Sequence, residues 1–316
     1  MSEAANTIVP QAQEQKKQKQ SKAALILLCK ERGITGYSSK SVNELQGLLS
    51  AGAVTTHNKS PLRYPGGKTR AVKILEKILL ENFGSYKTVL SPFFGGGSFE
   101  LHLYDKGYKV YGNDLFTPLY TFWTVAQKNP AGLVNAVRAK MPVTKEAFIA
   151  LREAIKTMKD PLEVATAYYI INRTSFSGAT FCGGFSAQAA TGRLNEASLK
   201  TAASLKIDGL EFSNLGYAEF LATVDAVDAV IYADPPYYIS SYIYGRDGDL
   251  HESFNHVAFA TFMKGLSGSW MLSYNDCPYI RDLYKGHKIL PVSWSYGMNT
   301  TKESSEIVIL SIASTA

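Results

Sequence analysis

The run Ala229-Val230-Ile231-Tyr232-Ala233 is apolar or aromatic throughout, and it stops abruptly at Asp234-Pro235-Pro236-Tyr237. A short, uniformly apolar run of this kind reads as a buried strand. Two consecutive prolines, with fixed φ and no N–H, cannot extend it. At the end of such a strand the tetrapeptide offers an acceptor carboxylate, a prolyl carbonyl that no local N–H occupies, and a ring able to stack on a flat heterocycle. Those are the parts needed to hold the exocyclic amine of an extruded nucleobase. A strand ending in Asp-Pro is also a common turn, so the rest of the chain must decide between the two.

Upstream, Tyr86-Lys87-Thr88-Val89-Leu90-Ser91-Pro92-Phe93-Phe94 reads as a strand that breaks into Gly95-Gly96-Gly97-Ser98 before a helical run from Phe99 to Lys106. Strand, glycine turn and helix in that order make a nucleotide cradle. Glycine lets a ligand approach the backbone closely, and the helix N-terminus offers free N–H groups. The spacing departs from the dinucleotide fingerprint, and glycine turns after strands are common. A second strand, Tyr108-Lys109-Val110-Tyr111-Gly112-Asn113-Asp114, ends in an acid, where an α/β fold binds ribose hydroxyls. Pro61-Leu62-Arg63-Tyr64-Pro65-Gly66-Gly67-Lys68 adds a turn carrying a lysine, followed by an amphipathic helix from Ala71 to Asn82.

Taken in order, the Leu62–Lys68 turn, the Ser91–Ser98 strand end, Asn113-Asp114 and Asp234-Pro235-Pro236-Tyr237 closely resemble the Dam-like family of DNA adenine N6-methyltransferases. The resemblance runs from about Pro61 to the C-terminus. It takes in Ile171-Asn172-Arg173-Thr174-Ser175-Phe176-Ser177-Gly178, Gly183-Gly184-Phe185-Ser186, Leu272-Ser273-Tyr274-Asn275-Asp276 and Glu303-Ser304-Ser305-Glu306-Ile307-Val308-Ile309. Two positions depart from the family pattern: Ser91 stands where an acid is usual, and Tyr64 where tryptophan is common.

The resemblance implies an α/β, Rossmann-like methyltransferase fold with a twisted, mostly parallel sheet. Strands are expected near 87–92, 108–113, 228–233, 269–274 and 305–312, with the ligand crevice at their carboxyl ends. It implies S-adenosyl-L-methionine as cofactor and no metal. Tyr64, Lys68, Asp114 and Asp234 would line the cofactor site, with Asp114 on the ribose hydroxyls and the backbone of Phe94, Gly95 and Gly97 around the methionine portion. Asp234, Pro235, Pro236 and Tyr237 would act on an adenine flipped out of double-stranded DNA. Target recognition would fall in a helical insert at about 115–225, with Asn172 and Arg173 as candidate DNA contacts. Asp234 separates the motif from N5-glutamine methyltransferases, which usually carry asparagine there. Cytosine N4 and RNA methyltransferases stay open, as does a DNA-binding accessory protein on an inactive methyltransferase fold.

A net charge of +6 favours a polyanionic partner. Cys29, Cys182 and Cys277 stand apart from one another, which suggests neither a zinc site nor a disulfide framework and points to a reducing compartment. No apolar stretch reaches membrane-spanning length and the polar start is no secretory signal. A soluble, intracellular protein of a prokaryotic or viral host cell is therefore expected, with a monomer favoured.

Residues 1–22 form a polar tail expected to be disordered, and residues 23–57 a helical module with its linker. Leu25, Ile26, Leu28 and Cys29 form one apolar face. Gly33 and Gly36 break it, and Val42, Leu45, Leu48 and Leu49 resume it behind Ser41, a candidate N-cap. This small N-terminal helical hairpin resembles SAP-like modules, which bind DNA without strong sequence preference. Residues 58–316 form the expected methyltransferase domain. Within it, helices are predicted at Lys145 to Met158 and Pro161 to Ile171, and a glycine, serine and alanine loop from Phe176 to Gly192.

Overall fold

Central strands that are apolar on both faces need cover on both faces, and the protein supplies it with helices. The structure is a computed structural model that describes residues 21–31, 37–38, 40–50, 58–64, 66–224, 228–238, 254–293 and 306–313. The polar tail up to residue 20, the glycine turn at Gly33 and Gly36, Pro65 and residues 51–57, with the first part of the expected linker, lie outside the described residues. The chain divides into two compact units, Met1–Thr56 and His57–Ala316.

In the first unit, α1 (Lys22–Glu31) and α2 (Val42–Ser50) close a small core of Leu25, Cys29 and Leu45. The start of α2 is a reciprocal cap: Ser41 N–H donates to Glu44 Oε2 at 2.8 Å, and Glu44 N–H donates back to Ser41 Oγ at 3.4 Å.

The second unit is built on strands β1 (Thr88–Ser91), β2 (Lys109–Asn113), β3 (Glu211–Ser213), β4 (Ala229–Ala233), β5 (Ser269–Asn275), β6 (His287–Val292) and β7 (Glu306–Ala313). They form one sheet in the order β3-β2-β1-β4-β5-β7-β6. Helices α3 (Val72–Phe83) and α4 (Ser98–Asp105) flank β1 in the chain. Between β2 and β3 come α5 (Thr117–Lys128), α6 (Pro130–Arg138), α7 (Lys145–Ala154), α8 (Pro161–Thr174), α9 (Ala187–Gly192) and α10 (Glu196–Ala203). The described helices end with α11 (Tyr217–Thr223), α12 (His256–Gly265) and α13 (Pro278–Leu283).

Alternation explains the unbroken apolar run of β4, because successive side chains of a strand point to opposite faces. Val230 and Tyr232 join Val89, Val110, Phe99 and Val308 in one core. Ile231 and Ala233 join Leu90, Phe259, Trp270 and Ile309 in the other. The strands β3, β2, β1, β4 and β5 are parallel. The chain leaves β1 toward β2 and β3 on one side, then returns to lay β4 on β1's other side, so the strand order reverses between β1 and β4. A ligand crevice belongs outside the carboxyl ends of the strands at that point. β7 is antiparallel to both β5 and β6. Its first residue, Glu306, therefore pairs with Asn275, the last residue of β5, and reaches the edge where the parallel strands end.

All five expected strands are present, and β3 and β6 add to them. The segment at 115–225 is mostly helical, yet it also delivers β3 to the edge of the sheet, so it is not an insert alone. α7 stops at Ala154, short of Met158, while α8 runs past Ile171 to Thr174. The stretch 176–192 is not a loop throughout. Ser175 bridges Phe185 in antiparallel fashion, and Ser186 then caps α9 by accepting from Ala189 N–H at 3.2 Å.

Candidate active site

The glycine turn after β1 is shaped by a phenylalanine pointing the other way. The Phe94 ring turns into the core and meets Trp123 and Phe212 edge-on, at centroid distances of 5.2 and 5.0 Å. A Cβ on Gly97 would lie 2.4 Å from Phe94 Cε1, and one on Gly112 would lie 2.4 Å from Phe94 Cδ2. Gly97 also sits at φ +64°, in the left-handed region. With the ring buried, the Gly95–Gly97 turn presents backbone alone, with Tyr64 lying against Gly95 and Gly96. Its position is fixed by Trp123 Nε1, which donates to Gly95 O at 3.0 Å.

Gly97→Ala should therefore destabilise by about 1–3 kcal/mol from overpacking alone, read by urea unfolding. Gly107→Ala is the control, because it has φ +86° and open space around the added carbon. Equal losses in the two variants would show that backbone strain, and not the Phe94 wedge, demands glycine at 97.

Asp114 follows β2 and closes over the turn. Gly95 N–H donates to its Oδ2 at 2.9 Å, and Phe116 N–H donates to its Oδ1 at 3.0 Å. Burial outweighs both bonds and pushes its pKa up to about 6. On the outer side, Tyr64 lies across the glycines: a Cβ on Gly96 would come within 2.7 Å of Tyr64 Cβ, and one on Gly95 within 3.0 Å of Tyr64 Cε1. A turn-helix neighbour and two strand ends thus converge on one backbone surface.

Lys68 opens a short 3-10 turn, Lys68–Arg70, and is only 4 % exposed. Its Nζ donates to Gly66 O at 2.9 Å and to Asp234 Oδ2 at 2.7 Å. Burial raises the pKa of Asp234, and the Lys68 charge opposes that rise. The other oxygen, Asp234 Oδ1, is buried without a hydrogen-bond partner among the described residues. Pro235 is buried, Pro236 half-buried, and Tyr237 follows with its ring 4.9 Å from Lys68 Nζ. Asn275 Nδ2 donates to Tyr238 O at 2.7 Å, which anchors the motif's exit to the end of β5.

Two acids at this edge carry no signal that sequence reading assigned to a site. Glu306 is 3 % exposed; it accepts from the Tyr237 hydroxyl and lies 3.8 Å from Lys68 Nζ. Glu100, in the first turn of α4, accepts from Ser91 Oγ at 2.9 Å. Burial and the nearby Asp234 push its pKa up to about 7 against that bond and Lys68. Ser91, where an acid was expected, is thus the hydroxyl partner of a carboxyl supplied from the next helix.

Asn172 and Arg173, the candidate DNA contacts, both make hydrogen bonds within the protein. Asn172 is fully buried: it accepts from Arg63 N–H at 2.9 Å and donates to Arg63 O at 2.7 Å and Thr180 Oγ1 at 3.0 Å. Arg173 donates to Arg193 O and to Pro61 O, the latter at 3.2 Å. Both belong to a brace because α8 is packed on most sides, so polar groups at its end must find internal partners. What this brace presents outward is Phe176, 69 % exposed, in a turn closed by Phe176 N–H donating to Gly184 O at 2.8 Å.

A glycine cradle after β1, an acid after β2 and Asp-Pro-Pro-Tyr after β4, all at the switch point of a largely parallel sheet, define a Rossmann-like methyltransferase. More particularly, residues 64–298 match the D12 class N6 adenine-specific DNA methyltransferases, and the chain belongs to that family. It is an enzyme that methylates adenine in DNA, in a class that in general uses S-adenosylmethionine. No individually curated protein matches the chain. Among the described residues no helix is long and apolar enough to cross a membrane, and no group of three or more His, Cys, Asp or Glu side chains could hold a metal ion.

Proposed function

We propose that the protein flips an adenine out of duplex DNA and presents its amine to S-adenosyl-L-methionine held over the Gly95–Gly97 turn. The observation that carries this reading is the split role of the Asp234 carboxylate: Oδ2 is held by Lys68, while buried Oδ1 lacks a partner among the described residues. The cradle suits the cofactor, since the Gly95–Gly97 turn offers backbone without side chains beside the Tyr64 ring, and Asp114 keeps acceptor capacity for ribose hydroxyls. Bound there, S-adenosyl-L-methionine supplies an electrophilic methyl group.

The chain's task is to improve a poor nucleophile, because the amine lone pair of adenine is delocalised into the ring. Asp234 Oδ1 and the Pro235 carbonyl accept the two amine hydrogens, turning nitrogen toward tetrahedral geometry and aiming its lone pair. The same carboxylate stabilises positive charge as it develops on that nitrogen, and the proton leaves afterwards. Tyr237 stacks on the base. On the DNA side, the braced turn beyond α8 offers Phe176, an exposed apolar side chain of the type that wedges between base steps.

The family match favours adenine over cytosine N4 and DNA over RNA, and the intact Lys68–Asp234 pair supports an active enzyme over an accessory protein. The test is transfer of labelled methyl from S-adenosyl-L-methionine to duplex DNA, followed by nucleoside analysis. N6-methyladenine is expected; label on cytosine, or none, would overturn the reading. Methylation-sensitive sequencing then identifies the target duplex. On that duplex Tyr237→Ala should lose about 1–3 kcal/mol of base stacking, seen as a weaker flipping signal from 2-aminopurine at the target position. An unchanged signal would make Tyr237 a packing residue.

A further inference from the structure

Glu306 is among the most buried acids of the protein, and the mechanism above leaves it unused. Its place follows from topology. In a parallel strand the first residue lies at the amino edge of the sheet, remote from the crevice, but β7 runs antiparallel and brings its first residue to the carboxyl edge. An acid there is surrounded by functional side chains. Glu306 Oε2 accepts from the Tyr237 hydroxyl and stands 3.8 Å from Lys68 Nζ. Lys68 in turn faces the Tyr237 ring at 4.9 Å and binds Asp234 at 2.7 Å.

The Tyr237 ring packs on the core of the Leu272 and Tyr274 face, and its hydroxyl also interacts with Asp234, so Glu306 is one of several groups at the ring. Its described ring neighbour, Tyr274, makes a tilted contact with centroids 6.3 Å apart. A platform that receives a flat base must be in place before the base arrives, or binding energy is spent ordering it. A carboxylate bonded to the hydroxyl at the far end of the ring is a long lever for that purpose. Because the same oxygen also sits near the ammonium that holds Asp234, ring and reacting carboxylate are set by one charge network.

We propose that Glu306 is a positioning residue that fixes the Tyr237 ring and couples its placement to the Lys68–Asp234 pair; this rests on the reading of Tyr237 as the base platform. Glu306→Gln keeps the size of the side chain but removes the charge that holds the hydroxyl and Lys68 together. Tyr237→Phe keeps the ring and every charge but removes the hydroxyl's bond to Glu306, together with its interaction with Asp234.

The experiment compares wild type, Glu306→Gln, Tyr237→Phe and the double variant in single-turnover methyl transfer on the identified duplex. S-adenosylhomocysteine binding and thermal melting serve as readouts of the cofactor site and fold. Failure of wild type to methylate adenine would defeat the proposed function itself. With wild type active, each single variant should be slower by about tenfold or more, the loss expected for a hydrogen bond to a charged group. The double variant should be no slower than the slower single, because one change strips the charge from the Glu306–Tyr237 link and the other deletes that link. S-adenosylhomocysteine binding should stay at the wild-type level. Wild-type rates in either single variant, or losses that multiply in the double, overturn the positioning role. Should Glu306→Gln fail to fold, Tyr237→Phe alone decides, and a wild-type rate there overturns it.

Discussion

Asp234→Asn is expected to lower the rate of methyl transfer by roughly 10²- to 10³-fold, the range for deleting one electrostatic group aimed at developing charge. The substitution is nearly isosteric. It removes the carboxylate that stabilises charge on the amine, and wherever the new amide turns its nitrogen toward the base, a donor meets a donor. Lys68 loses its closest ionic partner but keeps Gly66 O and the neighbouring Glu306, so the site is not left with an isolated buried ammonium. DNA affinity should change little, because affinity of this kind rests largely on phosphate contacts. Single-turnover transfer and filter binding measured side by side separate the two effects. Near-normal turnover would remove Asp234 from the chemistry, and a parallel collapse of DNA binding would make it a structural residue.

The contrast between what was legible and what was not follows the physics of burial. β1, β2, β4, β5 and β7 were readable because they lie inside the sheet, where cover on both faces leaves most of their positions buried. β3 and β6 are the edges. β3 is three residues long without a fully buried position, and β6 is intermediate or exposed throughout and includes Pro291, tolerable on an edge strand. β3 leaves no apolar run to read, and in β6 the short run Ile289-Leu290 is cut by Pro291.

At the site, local motifs were legible because each is written on one turn of chain: the glycines, Asp114 and the Asp234–Tyr237 tetrapeptide. Pairings across the fold were not. Lys68 and Asp234 stand 166 residues apart, and their ion pair exists only because β1 and β4 are neighbours with the Lys68 turn above them. Glu306 was hidden for a related reason. An acid at the head of an apolar strand reads as a strand end, and it becomes a site residue only when the strand runs antiparallel. Asn172 and Arg173 illustrate the same limit: their bonds to Arg63 and Pro61 join segments more than 100 residues apart, and no local pattern announces them.

Lys68→Met should separate activity from stability along the pH axis. Lys68 opposes the upward push of burial on the Asp234 pKa, so removing it lets that pKa climb further. The reaction needs the carboxylate. Activity is present above the pKa of Asp234 and lost as pH falls through it, so the acid limb of the rate profile should move to higher pH in the variant, and activity near neutrality should drop. Stability runs the other way. A carboxyl whose folded pKa is raised above its unfolded value stabilises most below the unfolded value, and that contribution disappears as pH rises through the folded one. In the variant, Asp234 and Glu306 face each other without the ammonium between them. The loss of stability at about pH 8 should therefore approach the roughly 3–5 kcal/mol seen when one partner of a buried pair is removed, and it should shrink at lower pH as Asp234 takes up its proton. Urea unfolding at the higher and the lower pH, alongside a pH–rate profile, measures the two together. A variant equally destabilised at both, with its acid limb unmoved, would show that Lys68 serves packing and does not govern the charge of Asp234.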